Sequence, residues 1–483
     1  MNSWNEKSNM TMLTDFYELT MSQAYYDQGM KDTIAYFDLF FRRVPDEGGY
    51  AIMAGLQQMI SYLEELHFEE EDLAYLRATG QFSEEFLQCL ANMDFRCDVW
   101  AVPEGTPIFE GEPIVKVRGP IIQAQMIETM LLLTINHQSL IATKSARIVY
   151  AAEGRPIMEF GARRAQGYDA SVLGARAAYI GGVSGTSCSM AGLQFGIPVS
   201  GTMAHSFVQL YPTEYEAFMA YAKTYPDNAV LLVDTYNVLT SGVPNAIRVA
   251  KELLEPQGKR LKGIRIDSGD ITYLSQESRR LLDEAGMQDC KITASSALDE
   301  YTIRDLMVQG AKVDAFGVGE RLITSRSEPV FGGVYKLCGI EDAEGNVIPK
   351  MKISENIGKI TNPGHKWVFR FLDRATGKAM ADLIALDGEV IDTAQPYELF
   401  DPEATWKRKT LHNFEVMPLL QPIFLGGRRV YTCPSLEESR SYATRQMTTL
   451  WPSVTRLDRP HNYYVDLSQK LYDLKFGMLK DLN

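Results

Sequence analysis

Histidine is scarce. The 483-residue chain has six, with no H-x-H or H-x-x-x-H spacing and no cysteine pair beside any of them. That excludes an ordinary zinc site. Cysteine is equally sparse: Cys89, Cys97, Cys188, Cys290, Cys338 and Cys433 are scattered without a C-x-x-C pair. Such usage reads as reduced cytoplasmic thiols, not as a disulfide framework. Basic charge is in deficit, with 48 Lys and Arg against 62 Asp and Glu and a net charge of −14. This argues against a general nucleic-acid or acidic-membrane surface. Long apolar runs are missing too. The most apolar helix-like stretch, "MIETMLLLTINH", is short of the ~20 residues a bilayer requires and carries Glu128. The opening "MNSWNEKSNM" is polar and has no signal-peptide core, so a cytoplasmic location is expected.

What is there is a 45% hydrophobic chain, long enough to bury a large core in two or three domains. Residues 11–30 read as a helix with Thr14 or Asp15 as cap, and "IAYFDLFFRRVP" as a strand ending at Pro45. Two acidic helical stretches follow to about residue 95, then a Pro- and Gly-rich β meander over 98–120. Helical apolar spacing predicts one long helix over 121–152. Beyond it, short apolar runs ending in Gly, Ser, Asp or His alternate with helices: "RPIMEFGARRAQ", "IPVSGTMAHS", "AVLLVDTYN", "KGIRIDSGD", "KITASSALDE" and "KVDAFGVGE". That is the texture of βα units, whose strand C-termini carry the chemistry in an α/β barrel. From about residue 350 the pattern lapses. A strand pair is expected in "MKISENIGKITNPGHKWVFR" and a helical tail over 435–483. The expected organisation is an N-terminal α/β domain (1–145), an irregular α/β barrel with the active site (146–350), and a C-terminal segment (351–483) packed on both.

Four strand ends are candidate sites. In "SGTMAHSF", His205 is not part of a G-x-S-x-G nucleophile elbow, and Gly201 and Thr202 let a ligand approach the backbone. A lone histidine at a strand end is more often a structural ring than a catalytic one. "IRIDSGD" offers Arg265 as a planar fork for a carboxylate or phosphate, with Asp267 and Asp270 for Mg²⁺ or ribose hydroxyls. The plainer reading is a solvated turn and a helix cap. "DAFGVGE" turns from strand to helix, where Gly317 and Gly319 expose backbone N–H groups to phosphate or merely permit a tight turn. "EFGARRAQG" sets Phe160, able to stack on a planar ring, beside Arg163 and Arg164, suited to an anion. "FFRR" (40–43) and Lys144 add basic charge. Basic residues at several strand ends of an acidic chain imply a substrate with several negative charges.

Six segments occur in order: "LTDFYELTM" (13–21), "FGARRAQG" (160–167), "GTMAHSF" (201–207), "RIDSGD" (265–270), "GVGE" (317–320) and "FGGVYKL" (331–337). On these the chain closely resembles the nicotinate phosphoribosyltransferase family, from about residue 10 into the C-terminal region. The resemblance implies the type II phosphoribosyltransferase fold, an irregular α/β barrel with an N-terminal α/β domain. It also implies conversion of nicotinate, 5-phosphoribosyl 1-diphosphate, ATP and water to nicotinate mononucleotide, diphosphate, ADP and phosphate, in NAD salvage. A nicotinamide- or quinolinate-using relative and a catalytically silent one are the alternatives.

By that resemblance His205 is autophosphorylated by ATP, and Tyr17 and Phe160 sandwich the pyridine ring. Tyr17 then comes from a neighbouring subunit, which implies a homodimer with shared sites. Thr202 and Arg265 contact nicotinate. Arg163, Arg164, Asp267, Gly317, Gly319 and Glu320 face the phosphoribosyl and phosphate groups, and Asp267 also serves catalysis. Asp234, Asp267 and Asp270 are the candidate Mg²⁺ ligands. Some relatives carry Thr in place of Glu320, whose carboxylate would repel phosphate, so the backbone there is favoured over the side chain. The nicotinamide-specific relative has Asp where "GTS" places Ser187; losing that carboxylate favours an acid over an amide.

Overall fold

The computed structural model describes residues 9–356 and 359–480. Contacts divide the chain into two compact units, residues 1–140 with 330–483, and residues 141–329. The first begins with α1 (Phe16–Asp27) and β1 (Ile34–Phe41). A short ladder joins β2 (Ala51–Ile52) to β4 (Pro107–Ile108). Between them lie α2 (Leu56–Glu64), α3 (Glu70–Ala78) and α4 (Glu84–Ala91), three helices where the acidic pattern reads as two. Gly80, at φ +67°, lies between α3 and α4. Ser83 then starts α4, its hydroxyl accepting from Phe86 N at 3.2 Å.

The meander holds as β3 (Asp98–Ala101) and β5 (Val115–Pro120). The helix expected over 121–152 is broken into α5 (Ile121–Met126) and α6 (Glu128–Ala151). Ile127 has ψ −4°, away from the roughly −42° of a continuing helix. Gln125 Nε2 donates to Glu128 Oε2 at 3.0 Å across the break.

The second unit alternates strand and helix. Its strands are β6 (Ile157–Glu159), β7 (Gly185–Thr186), β8 (Val230–Leu232), β9 (Gly263–Ile266), β10 (Lys291–Ser296) and β11 (Ala315–Val318), in the order β7-β6-β11-β10-β9-β8. Every neighbouring pair is parallel. Short apolar runs such as "VLL" and "GIRI" suit this because both faces of a parallel sheet are covered. The helices are α7 (Tyr168–Ile180), α8 (Ser189–Phe195), α9 (His205–Leu210), α10 (Glu214–Thr224), α11 (Val243–Val249), α12 (Ile271–Glu284), α13 (Glu300–Val308) and α14 (Glu320–Ile323). Among the described residues no ladder joins β8 to β7, so the irregularity of the α/β sheet lies at that seam. "IPVSGTMAHS" is not a strand of its own. Val199 makes one bridge to Thr186, Pro198 withholds a ladder donor, and His205 opens α9.

The chain then returns to the first unit with β12 (Gly333–Glu341) and β13 (Val347–Pro349). β12 pairs antiparallel with β1, which also pairs with β5, so β1 is almost wholly buried. Only one strand arises within 351–370, β14 (Lys366–Asp373); residues 357 and 358 of that segment lie outside the described ones. β14 pairs with β15 (Ala379–Leu386). Farther on, the expected helical tail is interrupted: after α15 (Leu436–Thr449), residues Val465–Leu467 form a strand parallel to β15. Residues 481–483 lie outside the described ones. All six cysteines are free thiols. No described helix is long and apolar enough to cross a membrane.

Candidate active site

Parallel pairing brings the C-terminal ends of the second unit's strands to one edge, because Arg265 aligns with Thr293, Ser295 with Gly317, and Val318 with Glu159. A basin of about 660 Å³ opens there, within the range of small-molecule sites. Phe160, Arg163, Arg164, Ser187, Gly201, Thr202, His205, Arg265, Asp267, Ser295, Gly317, Gly319 and Glu320 all contribute to its wall.

Arg265 is held from below. Its Nη1 donates to Thr202 Oγ1 at 2.9 Å and its Nη2 to the Met203 carbonyl at 3.1 Å, while Nε is buried without a partner. Burial lowers its pKa against the opposing pull of Asp267 and Asp234, and the Arg163 guanidinium pushes in the same direction as burial. Two guanidiniums therefore face one basin, an arrangement that favours an anion between them. Arg163 has no ion pair of its own among the described residues, and is exposed.

Asp267 accepts from Ser295 Oγ at 2.7 Å, and its backbone N–H donates to Asp234 Oδ2 at 3.1 Å. Asp234 also accepts from Ser268 Oγ at 2.6 Å, whereas its buried Oδ1 has no partner. His205 Nδ1 lies 3.1 Å from Thr235 Oγ1, which leaves Nε2 without a partner among the described residues. The Phe160 ring covers Gly317: a Cβ at that glycine would fall 2.5 Å from ring atom Cδ2. Gly317 is thus small because the ring needs the space. Glu320 is paired twice, with Arg164 Nη1 at 3.0 Å and Arg326 Nη1 at 2.9 Å. Its carboxylate enters the basin with its charge compensated.

Some sequence candidates lie elsewhere. Tyr17 is on α1 of the first unit, half exposed, and does not line the basin. Asp270 is the N-cap of α12, its carboxylate accepting from Tyr273 N at 3.1 Å, and it too is outside the basin wall. Lys144 adds no charge to the basin, because it is buried against Glu300 at 2.9 Å and Ser327 at 2.7 Å. Among the described residues no group of three or more His, Cys, Asp or Glu side chains is arranged to hold a metal.

Other participants had gone unnoticed in the sequence. Thr235, next to Asp234 in "VDT", orients His205. Glu159, one residue before Phe160, is buried and accepts from Thr186 Oγ1 at 2.6 Å and from Gly161 N. Burial raises its pKa, and those donors oppose the shift. The sign of a buried acid immediately ahead of the aromatic–arginine motif was available, but its partners were not.

Family models match the chain over most of its length. The nicotinate phosphoribosyltransferase N-terminal domain matches residues 12–136, the family's main model residues 156–377, and its C-terminal domain residues 365–475. A nicotinate phosphoribosyltransferase of Bacillus subtilis is 43% identical over 476 residues, covering 98% of this chain and 96% of its own. The human enzyme of that name is 32% identical over 520 residues, covering 96% and 95%. A crystal structure of human nicotinic acid phosphoribosyltransferase superposes with a TM-score of 0.85 at 31% identity, over 97% of this chain and all of that one.

Proposed function

The chain belongs to the nicotinate phosphoribosyltransferase family, and from that premise we propose that the basin joins nicotinate to 5-phosphoribosyl 1-diphosphate in NAD salvage. The pyridine nitrogen attacks the anomeric carbon as the bond to diphosphate breaks, giving nicotinate mononucleotide and free diphosphate. The transition state has oxocarbenium character. Placing the ring in line and stabilising the departing charge therefore count for more than a strong base.

The observation that carries this reading is the convergence of Phe160, Arg163, Arg265, His205 and Asp267 on one basin. Phe160 offers a ring face to the pyridine. Arg265, braced by Thr202 and Met203, offers its remaining N–H groups to the carboxylate. Ser187 at the wall puts no negative charge against that carboxylate, which favours nicotinate over nicotinamide. Arg163 and the backbone at Gly317 and Gly319 face the phosphates. Glu320 suits an anion site because Arg164 and Arg326 compensate it.

Mg²⁺ would enter the site with the diphosphate substrate and would offset charge on it as it leaves. Asp267, on the basin wall, is the carboxylate that would hold it, directly or through water; Asp234 is not part of that wall and instead braces the Asp267 backbone from behind.

ATP coupling runs through His205. A ring nitrogen bonds to the γ-phosphorus as the β–γ bridging P–O bond breaks, and ADP leaves; water later cleaves the N–P bond to phosphate. Moving a site from 1:99 to 99:1 in favour of a tight-binding state takes about 5.5 kcal/mol, within the reach of ATP hydrolysis. By the family resemblance Tyr17 closes the site of a partner chain in a homodimer.

Steady-state formation of nicotinate mononucleotide, with and without ATP, tests the activity, and replacing nicotinate by nicotinamide or quinolinate tests the substrate. γ-Labelled ATP should leave an acid-labile label that His205→Ala abolishes. Undiminished labelling in that variant would overturn the assignment.

A further inference from the structure

Glu159 is the last residue of β6, wholly buried and absent from the basin wall. None of the roles assigned above uses it. An apolar side chain would fill the same space more readily, because a buried carboxylate gives up its hydration. Two donors compensate for that, and no cation pairs with Glu159 among the described residues. Oε2 accepts from Thr186 Oγ1 at 2.6 Å, and Oε1 accepts from the Gly161 N–H. Parallel register makes the first bond possible: Glu159 lies opposite Thr186, and residues paired across neighbouring strands share a face. Thr186 Oγ1 in turn accepts from Cys188 N at 3.0 Å, and the Glu159 carbonyl accepts from Ser187 N at 2.9 Å. One residue thus holds 186–188 through both its side chain and its main chain.

The segments it joins have little else to fix them. β7 is only Gly185–Thr186, so its ladder with β6 is short, and Ser187 of the basin wall follows it directly. On the other side the chain leaves β6 at Phe160 and passes Gly161 into a single 3₁₀ turn, Ala162–Arg164, which carries Arg163. A Cβ at Gly161 would fall 2.8 Å from Glu159 Oε1 and 2.6 Å from Ile323 Cβ. Glycine at 161 therefore lets the main chain come within hydrogen-bonding reach of the carboxylate.

We propose that Glu159 is a positioning residue for the pyridine ring, tying the turn that carries Phe160 and Arg163 to the loop that carries Ser187. The inference rests on reading the basin as the nicotinate site. Phe160 supplies the ring face and Ser187 the wall that tolerates a carboxylate, so their separation governs how well an acid is told from an amide. Glu159 touches no substrate. It fixes that separation from behind the wall, through Gly161 on one side and Thr186 on the other. The two ties are separable: losing the Thr186 tie frees the Ser187 loop and leaves the Arg163 turn held.

Steady-state kinetics of the full chain tests this, with KM measured separately for nicotinate and 5-phosphoribosyl 1-diphosphate and with nicotinamide as the alternative substrate. Thr186→Val keeps the shape and removes the hydroxyl. Because a hydrogen bond to a charged group is worth about tenfold, this variant should raise the KM for nicotinate by about that factor. Its preference for nicotinate over nicotinamide in kcat/KM should fall by about as much. The KM for 5-phosphoribosyl 1-diphosphate should stay within about twofold, since the Gly161 tie persists. Glu159→Ala should raise both KM values. Adding Thr186→Val to Glu159→Ala should raise the KM for nicotinate by less than about twofold more, because the tie is already gone. Glu159→Gln should recover most of the loss: its amide oxygen can accept from Gly161 N while its amide N–H donates to Thr186 Oγ1. If Glu159→Ala does not fold, Thr186→Val and its substrate preference still decide.

A folded Thr186→Val chain with unchanged KM values and unchanged preference would overturn the assignment, even if its Tm fell. An equal rise in both KM values in that variant, or full additivity in the double variant, would overturn it too. The unaltered chain reports on the other reading: failure to use nicotinate would overturn the assignment of the basin. Nicotinate turnover that Thr186→Val leaves untouched would overturn only the role of Glu159.

Discussion

Phe160 and Gly317 act as one residue pair, since the ring occupies the volume a Cβ at position 317 would claim. Phe160→Ala should raise the KM for nicotinate by about tenfold through lost stacking. Gly317→Ala should have an effect in the same direction by displacing a ring that is still present. Steady-state kinetics separates the two from Arg163→Ala, whose burden should fall on 5-phosphoribosyl 1-diphosphate. At His205 the hydroxyl of Thr235 fixes the ring. Thr235→Val keeps the shape and removes that partner, so the rate of labelling from γ-labelled ATP should fall while the labelled residue stays the same. Phe160, Gly317 and His205 were visible in the sequence, each inside a short motif. What each one leans on was not, because Thr235 is 30 residues from His205 and Glu320 is 156 from Arg164.

At the scale of elements, Asp270 divides a cap from a metal ligand. Its carboxylate accepts from Tyr273 N at the start of α12. Asp270→Ala should cost about 1 kcal/mol of stability, and Asp270→Ser should recover most of it, as for other N-caps. Thermal unfolding checks this, with the Mg²⁺ dependence of turnover unaltered if the residue is only a cap. Helix α1 carries a pH-sensitive group. Glu18 is buried, and burial pushes its carboxyl from 4.5 up to about 7. Between those values the folded chain binds more protons than the unfolded one, so stability falls as pH rises through that window. Glu18→Gln should flatten this slope, which Tm measured from pH 5 to pH 8 would show; an unchanged slope would assign it to other groups, Asp466 among them. The βα rhythm of residues 155–320 was readable because parallel strands, covered on both faces, are short and uniformly apolar. The break at Ile127 was not, because apolar spacing runs through it, and although Pro452 and Pro460 mark an interruption near the C-terminus, the three-residue strand there is set by its pairing with β15.

For the whole molecule the question is which chain completes a site. Tyr17 belongs to the unit formed by residues 1–140 and 330–483, whereas the basin is lined from residues 141–329. If Tyr17 closes a partner's basin, mixing inactive Tyr17→Ala and Arg265→Ala chains and letting them reassociate should restore activity, since one site in each hybrid dimer is then intact. Mixing without recovery would place Tyr17 in its own chain's site or outside catalysis. By itself the sequence determined the α/β class and the placing of Phe160, Arg265, Asp267 and Gly317 at or just after strand ends. Periodicity, turn residues and charge type are local properties, written within a few residues of where they act. The tertiary structure alone decided which charges remain for substrate. Lys144 is consumed by Glu300 in the interior, Glu320 is neutralised at the rim by Arg164 and Arg326, and Arg163 and Arg265 keep donors for an anion. It also decided that Phe207 and Tyr221, in α9 and α10, and Tyr211 and Tyr225, just after them, face a cavity instead of the core. Both outcomes depend on partners brought together by parallel pairing and helix packing across tens to more than a hundred residues, and no local pattern encodes them.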